Sequence, residues 1–173
     1  MLGKDISASS LVGTLLKQLD GLYIYAVHLC LNDEDAEYLV EEAYSRTVRT
    51  MDSLEEGSKL KVQLFTTLRD IWFKELEKRR HVTAIVEMEG KCKSNVFLRL
   101  PNDMQASPLE RKQVRQAVLT LPAEFREIIV LRYQADLAYK EIAVVLNCAL
   151  GTVMARAMVA RAKLRALLLY RHN

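Results

Sequence analysis

The sequence predicts an all-α protein made of two small helical domains joined by a linker. Its 173 residues include only 6 glycines and 3 prolines, fewer than folds built from strands and tight turns usually need. Apolar residues recur at spacings of three and four along most of the chain, which is the pattern of amphipathic helices. This periodicity is lost over residues 82–106, so we predict one domain over 10–81, a linker over 82–106 and a second domain over 107–173.

The N-terminal domain is expected to contain three helices. The first runs from Leu11 onward with a candidate bend at Gly21, and Asn32 or Asp33 offers a cap for the second. Residues 52–59 indicate a loop before the third helix, because Asp, Ser, Glu and Gly dominate them. The positions expected to face the core are Val12, Leu15, Leu16, Leu19, Leu22, Tyr23, Ala26, Val27, Cys30, Ala36, Leu39, Val40, Ala43, Tyr44, Thr47, Val48, Met51, Leu60, Leu64, Leu68, Ile71, Trp72 and Leu76.

The C-terminal domain begins at a specific helix signal, a capping box over residues 107–110 with proline at the first helical position. Pro122 starts the next helix. A short helix over 139–146, a turn over 147–150 and a longer helix over 151–170 then form a helix-turn-helix candidate. The expected core positions here are Phe125, Ile128, Ile129, Tyr133, Ile142, Ala143, Leu146, Val153, Ala157, Leu164 and Leu167.

Charge is distributed unevenly along the chain. The formal net charge is only +3, but residues 32–56 carry nine acids against two arginines, and residues 147–173 carry five basic residues and no acid. A basic segment can neutralise DNA phosphates, and an acidic helix favours a basic protein surface as its partner. Ordinary solvated faces have the same composition, so charge alone does not decide the function.

Three motifs follow one another within residues 121–164: LPAEFREIIVLRY from Leu121, YKEIA from Tyr139 and GTVMAR from Gly151. Together they resemble the C-terminal, promoter-binding domain of the extracytoplasmic-function (ECF) sigma factors of bacterial RNA polymerase. This combination of motifs is much more specific than a lone helix-turn-helix.

The first half of the chain shows a looser resemblance to the same family. The segment DAEYLVEEAY from Asp35 resembles the helix that grips the clamp of the polymerase β′ subunit, and LFTTLRDIW from Leu64 resembles the helix that opens the minus-10 element. The resemblance implies a cytoplasmic sigma factor that directs RNA polymerase core to specific promoter DNA. It implies no enzymatic activity, no cofactor, no metal and no membrane insertion, and an anti-sigma factor is the expected regulator.

The resemblance also implies three sets of site residues. The minus-35 element would be bound by Thr152, Met154, Ala155, Arg156, Met158, Val159, Arg161 and Lys163. The minus-10 element would be bound by Arg69, Asp70, Phe73, Lys74, Lys78 and Arg79. The polymerase core would be bound by Tyr38, Glu41 and Glu42. Trp72 and Phe73 offer stacking surface for single-stranded DNA, and at least one of them is expected in the core.

Some positions depart from the family pattern. The DNA-reading positions 154–159 are rich in apolar side chains, and Ala138 replaces a usual capping Ser or Thr. Tyr38 stands where Asp is usual, Glu41 where Gln is usual and Asp70 where Asn is usual. These departures keep a second hypothesis open, a degenerate sigma-like protein that binds an anti-sigma factor or another regulator as a decoy. A third hypothesis, a one-component helix-turn-helix repressor, is disfavoured by the acidic first domain.

The residues that most often bind metals or form disulfides are widely spaced. They are His28, His81, His172, Cys30, Cys92 and Cys148. No CxxC pair occurs, so we expect reduced thiols and no zinc site. His28 lies on a mostly apolar helix face, where a satisfied core histidine is more common than a ligand. The apolar run 166–169 is too short to span a membrane, and no signal peptide is evident.

Overall fold

The structure, a computed structural model, describes residues 3–50, 57–82 and 107–170, and these ranges contain seven α-helices and no strand. The helices are α1 (Gly3–Cys30), α2 (Asp33–Arg49), α3 (Gly57–Val82), α4 (Pro108–Thr120), α5 (Ala123–Tyr133), α6 (Tyr139–Val145) and α7 (Leu150–Tyr170). The all-α prediction is therefore confirmed. Of the predicted linker over 82–106, Val82 is the last residue of α3, and 83–106 lie outside the described residues. The domain limits stay a prediction.

The predicted helix starts form through the expected caps. The Asn32 side-chain oxygen accepts hydrogen bonds from the backbone N–H groups of Glu34 (2.9 Å) and Asp35 (3.2 Å). At α4, the Ser107 hydroxyl accepts from the Glu110 N–H (3.2 Å), and the Glu110 carboxylate accepts from the Ser107 N–H (2.6 Å). Each cap satisfies N–H groups that have no partner within the helix.

Several predicted helix limits are wrong. Helix α1 begins at Gly3 and not at Leu11, and Leu150 belongs to α7 and not to the predicted turn. Helix α1 continues through Gly21, where a Cβ atom would lie 3.1 Å from the backbone oxygen of Gln134 and 3.3 Å from the Cα of Ala135. The glycine therefore permits a close approach of the C-terminal domain and does not break the helix. Helix α3 begins at Gly57, so residues 57–59 are helical and not part of the predicted loop. Ser and Gly are common both at the start of a helix and in loops, so composition does not distinguish the two.

One apolar cluster runs through both domains, and most of the predicted core positions belong to it. The exceptions are Leu16, Leu19, Val48 and Tyr133, which are exposed although they lie on apolar stripes. Their helices bury a narrower face than the apolar stripe in the sequence. Met51 and the side chain of Val12 lie outside the described part.

The two domains pack directly against each other. Helix α1 contacts α5, and α3 contacts α6, so the N-terminal three-helix unit lies against the middle helices of the C-terminal unit. In the described ranges, no single helix combines the length and hydropathy needed to cross a membrane. Helices α6 and α7 reach those criteria only when they are joined across a bend of 107°.

Candidate DNA-binding and polymerase-binding surfaces

Helices α6 and α7 form the predicted helix-turn-helix. Ala138 has no side-chain cap to offer, but the Glu141 carboxylate accepts its N–H at 2.6 Å, which keeps half of a capping box. The turn contains Asn147 with φ of 49°, and asparagine is among the few non-glycine residues that tolerate this left-handed conformation. Cys148 donates its N–H to the Ala143 carbonyl at 3.0 Å, which closes the turn.

Helix α7 has one buried and one exposed face. Val153, Ala157 and Ala160 are buried in the core and fix the rotation of the helix. Most of the predicted minus-35 residues lie on the exposed side, namely Thr152, Met154, Ala155, Met158, Val159, Arg161 and Lys163. The side chains of Met154 and Met158 are 53% and 63% exposed, although apolar residues of this size are normally buried.

Arg156 is the predicted minus-35 residue that the structure shows in an ion pair. Its guanidinium lies 3.2 Å from the Glu124 carboxylate on α5, and both side chains are substantially exposed. Lys163 lies on the same helix, with its ammonium 5.8 Å from the centre of the Phe125 ring. An exposed ion pair contributes about 0–1 kcal/mol, so Arg156 can readily exchange Glu124 for another anionic partner.

The predicted minus-10 residues on α3 divide into two groups. Asp70, Phe73, Lys74 and Lys78 are exposed. Lys78 lies 3.6 Å from Glu75, a weak contact within the helix. Of the two aromatic residues of α3, Trp72 is buried and Phe73 is exposed, so the expectation that at least one belongs to the core is confirmed.

Arg69 and Arg79 instead form ion pairs that hold α3 to other helices. Arg79 donates two hydrogen bonds to the Asp35 carboxylate, at 3.0 and 2.7 Å, and this partner raises its pKa further. Arg69 lies 2.9 Å from the Glu127 carboxylate of α5, and its guanidinium lies 4.6 Å from the centre of the Phe73 ring. These two cations are therefore engaged with protein partners.

The predicted polymerase-binding residues lie on the outer face of α2, opposite the buried side chains of that helix. Tyr38 is 51% exposed, Glu41 is exposed, and Glu42 pairs with Arg46 at 2.6 Å. The spacings from Tyr38 to Glu41 and Glu42 are three and four, so the three side chains share one surface. The structure thus brings together an aromatic ring and two carboxylates on the outer face of α2, which no other helix of the described part covers.

A cavity of about 490 Å³ lies between the two domains, beside Arg69. His28 lines it and is buried, with Nδ1 2.7 Å from the Ile24 carbonyl oxygen. Its Nε2 has no hydrogen-bond partner among the described residues, so the expected core histidine is only half satisfied. Burial lowers the pKa of His28 to about 4, although the bond to Ile24 opposes this shift, and the charges of Arg126 and Arg115 lower it further.

Tyr25 and Glu127 are polar partners at this boundary that sequence reasoning did not select. The Tyr25 hydroxyl donates to the Glu127 carboxylate at 2.6 Å, and burial, together with that carboxylate, raises the Tyr25 pKa well above its ordinary value. Glu127 lies inside the LPAEFREIIVLRY motif, but no periodicity in the sequence distinguishes it from a surface residue. In the described ranges, no group of three or more His, Cys, Asp or Glu side chains is arranged to hold a metal ion.

Comparison with known proteins shows which family the chain resembles. A family profile described as "Sigma-70, region 4" matches residues 111–164, which include the helix-turn-helix. The chain is 33% identical over 159 residues to the ECF RNA polymerase sigma factor EcfG of Rhodopseudomonas palustris (strain TIE-1), covering 92% of this chain and 85% of that protein. It is 27% identical over 153 residues to the ECF RNA polymerase sigma factor SigW of Bacillus subtilis (strain 168), covering 84% and 82%.

The similarity extends to a solved structure that also spans both helical domains. The sigma factor RpoE, crystallised in complex with the anti-sigma factor NepR from Bartonella quintana, matches with a TM-score of 0.68 at 29% sequence identity. The match covers 95% of this chain and 97% of RpoE. The motifs, the arrangement of helices and the full-length relatives agree, and the chain therefore belongs to the ECF RNA polymerase sigma factor family.

Proposed function

We propose that this ECF sigma factor, which directs RNA polymerase to promoters, divides the task among three helices. The exposed face of α7 binds the minus-35 element, α3 helps to open the minus-10 element, and the outer face of α2 binds the β′ clamp of the polymerase. The domain limits 10–81, 82–106 and 107–173 follow this division. The protein acts in the cytoplasm, where promoter DNA is found, and it has no enzymatic activity of its own.

The exposed face of α7 is the observation that carries the proposal. A recognition helix enters the major groove with its N-terminal part, so residues 152–158 would lie nearest the bases. Arg161 and the neighbouring Lys163 suit phosphates, which fix the position of the domain without reading sequence. The methionines at 154 and 158 offer apolar surface for contact with thymine methyl groups. They have no hydrogen-bond donors for the acceptor atoms of guanine.

The outer face of α2 supports the polymerase contact. Tyr38 and Glu41 are exposed there, and the acidic character of residues 32–56 suits a basic partner surface. RpoE from Bartonella quintana was crystallised with the anti-sigma factor NepR. We propose by analogy that an anti-sigma factor also regulates this chain.

The test is binding of the purified chain to core RNA polymerase, followed by run-off transcription from a library of upstream sequences. We expect tight core binding and transcripts that depend on a promoter motif. Arg161→Ala combined with Lys163→Ala should reduce promoter affinity. The slope of the logarithm of affinity against the logarithm of salt concentration should fall by roughly 2, because two phosphate contacts are lost. Lys112→Ala, which removes an exposed lysine on α4, is the matched control.

The polymerase surface is tested separately by reversing a charge. Glu41→Lys should weaken core binding, whereas Glu77→Lys, a reversal at an exposed position of α3, should leave core binding unchanged. A folded chain that fails to bind core polymerase but binds an anti-sigma factor would make the protein a decoy and overturn the proposal. The relatives do not favour that alternative, nor the one-component repressor.

A further inference from the structure

Helix α7 carries basic side chains on both edges of its exposed face. Arg156 and Lys163 are seven positions apart, which is close to two helical turns, so both lie on one edge. Arg161 and Arg165 are four positions apart, are exposed, and lie on the opposite edge. The exposed side chains between the two edges are small or apolar, namely Ala155, Met158 and Ala162.

The first edge, that of Arg156 and Lys163, lies against the beginning of α5. Two consecutive residues of α5 contact its two cations. The Glu124 carboxylate lies 3.2 Å from the Arg156 guanidinium, and the Phe125 ring centre lies 5.8 Å from the Lys163 ammonium. A ring face attracts a cation without neutralising it, whereas a carboxylate cancels its charge. Of the two cations on this edge, Arg156 is therefore the one that α5 neutralises.

The position of Glu124 does not depend on Arg156. Glu124 is the acidic residue in the first turn of α5, where a carboxylate interacts favourably with the positive end of the helix dipole. Pro122, which precedes α5, has no side-chain acceptor for the free N–H groups of this turn. The carboxylate therefore has its own reason to stay at the edge of α7 when Arg156 moves to another partner.

The ion pair changes what DNA encounters at this edge. Binding to unrelated sequences comes almost entirely from attraction between cations and phosphates. At distances larger than the separation of its charges, an ion pair exerts little net attraction, so Arg156 adds little to such loose complexes. Its side chain is 39% exposed and that of Glu124 is 50% exposed, so the pair is readily broken when a phosphate reaches contact distance.

We propose that Glu124 is a specificity-determining residue of this sigma factor, which acts by competing with DNA phosphates for Arg156. Where the exposed face of α7 fits the bases, the helix enters the groove fully and a phosphate replaces Glu124. Where it does not fit, Arg156 stays paired and contributes no phosphate contact. Glu124 thus positions Arg156 and lowers affinity for unrelated sequences more than affinity for the promoter. The inference rests on the proposed role of α7 at the minus-35 element.

The test compares two duplexes that share one minus-10 element. One duplex carries a minus-35 element selected by run-off transcription, and in the other this element is scrambled. The holoenzyme, formed from core polymerase and the full-length chain, is titrated with each duplex over a range of salt concentrations. The contacts of the polymerase and of the N-terminal domain are the same with both duplexes, so the affinity ratio reports on the minus-35 contacts.

Glu124→Gln should strengthen binding to the scrambled duplex by about threefold, which is roughly the effect of one added phosphate contact. Binding to the selected duplex should change by less, so the affinity ratio should fall. The slope of the logarithm of affinity against the logarithm of salt concentration should steepen by about 1 with the scrambled duplex and stay the same with the selected one. Equal gains with both duplexes would overturn the proposal, because they would show a general charge effect.

Asp136→Asn is the matched control. Asp136 also belongs to an exposed ion pair of the C-terminal domain, 3.3 Å from Arg132, and it lies at the other end of α5. Its φ of 48° is tolerated by asparagine, so the substitution removes the same charge without straining the backbone. The affinity ratio should stay at the wild-type value. A fall as large as that of Glu124→Gln would contradict a specific role for Glu124.

The dependence on Arg156 is tested with a double variant. Arg156→Ala combined with Glu124→Gln should bind the scrambled duplex as Arg156→Ala alone does, because no cation is left for Glu124 to compete for. A gain that persists without Arg156 would show that Glu124 acts by another route. Far-ultraviolet circular dichroism of each variant verifies that the helices are retained.

Failure of this inference can be distinguished from failure of the proposed function. If Arg161→Ala combined with Lys163→Ala leaves binding to both duplexes unchanged, the role of α7 at the minus-35 element is wrong. If that variant weakens binding but Glu124→Gln leaves the affinity ratio unchanged, the role of α7 stands and the competition by Glu124 is wrong.

Discussion

The two helices proposed to contact promoter DNA present their side chains in different states. On α7, the reading face is open, and its ion pair between Arg156 and Glu124 is exposed and easily exchanged. On α3, Arg69 and Arg79 are held in bonded pairs with neighbouring helices. The proposed minus-35 surface is therefore exposed in the free protein, whereas part of the proposed minus-10 surface would have to exchange protein partners for DNA.

On the proposed assignments, this difference would separate sequence recognition from strand opening. A domain with an exposed reading face can test sequences at once, but an arginine in a buried pair contributes only after the pair has been broken. Breaking a buried pair costs more than breaking an exposed one, because the charges left behind are poorly hydrated. The four predictions below examine this contrast, from the largest expected effect to the smallest.

Removing the acid from each pair should reveal the contrast directly. Glu127→Ala leaves Arg69 and Tyr25 without their common partner, and we expect a loss of about 3 kcal/mol in the free energy of unfolding. Glu124→Ala removes the acid of the exposed pair and should cost no more than about 1 kcal/mol. Urea denaturation of both variants measures the difference. Equal losses would mean that the bonds to Glu127 contribute no more to stability than the exposed pair does.

Acid should destabilise the fold through His28, which lines the cavity beside α3. Its folded-state pKa of about 4 is below the ordinary value of 6.5, so the unfolded chain binds more protons between these two values. Stability from this residue is complete above pH 6.5 and is lost as the pH falls towards 4. Between pH 7.5 and 5.0 we expect a loss of about 2 kcal/mol.

The His28 contribution is isolated by comparing wild type with His28→Leu in urea at both pH values. The variant cannot take up this proton, so the part of the pH dependence that comes from His28 should disappear. The cations of Arg115 and Arg126, which lower the His28 pKa in the folded state, remain in both proteins. Identical pH dependence in the two proteins would contradict the assignment.

On α7, single substitutions should separate reading from phosphate binding. Met158→Ala should weaken binding to the selected promoter by about 1 kcal/mol and relax the preference at one base pair, with the salt dependence unchanged. Arg161→Ala should instead weaken binding to all sequences and lower the salt slope by about 1. Promoter binding by holoenzyme over a range of salt concentrations distinguishes the two. A preference that survives Met158→Ala would exclude this side chain from base reading.

The smallest effect is expected at the start of α6. Ala138→Ser would supply the missing side-chain acceptor for the backbone N–H of Glu141. Together with the existing bond from the N–H of residue 138 to the Glu141 carboxylate, it would complete the capping box. We expect a gain of about 0.5–1 kcal/mol in the free energy of unfolding, with DNA selectivity unchanged. Glu141→Gln, which keeps a weaker acceptor for the same N–H, is the control. No gain from Ala138→Ser would show that tertiary contacts alone fix this helix start.

The sequence predicted α7 well, because Val153 and Ala157 mark its buried face and Gly151 and Asn147 mark its beginning. It did not predict the contacts that Glu127 makes with Tyr25 and Arg69 between the domains. Periodicity identifies the apolar side of a helix, but it does not say which other helix will cover that side. Tyr25 lies within a broadly apolar stretch and Glu127 beside other charged residues, so their pairing across 102 positions leaves no local pattern.

Gly21 shows the same limit, because its sequence context suggested a bend and its actual role is to admit a neighbouring backbone. A methyl group at this position would lie 3.1 Å from the Gln134 carbonyl oxygen, so even alanine would act as a wedge between the domains. Such a wedge would disturb the contact between α1 and the segment after α5 without changing any charge. At this point of contact, the single hydrogen atom of the glycine side chain is what lets the two domains approach so closely.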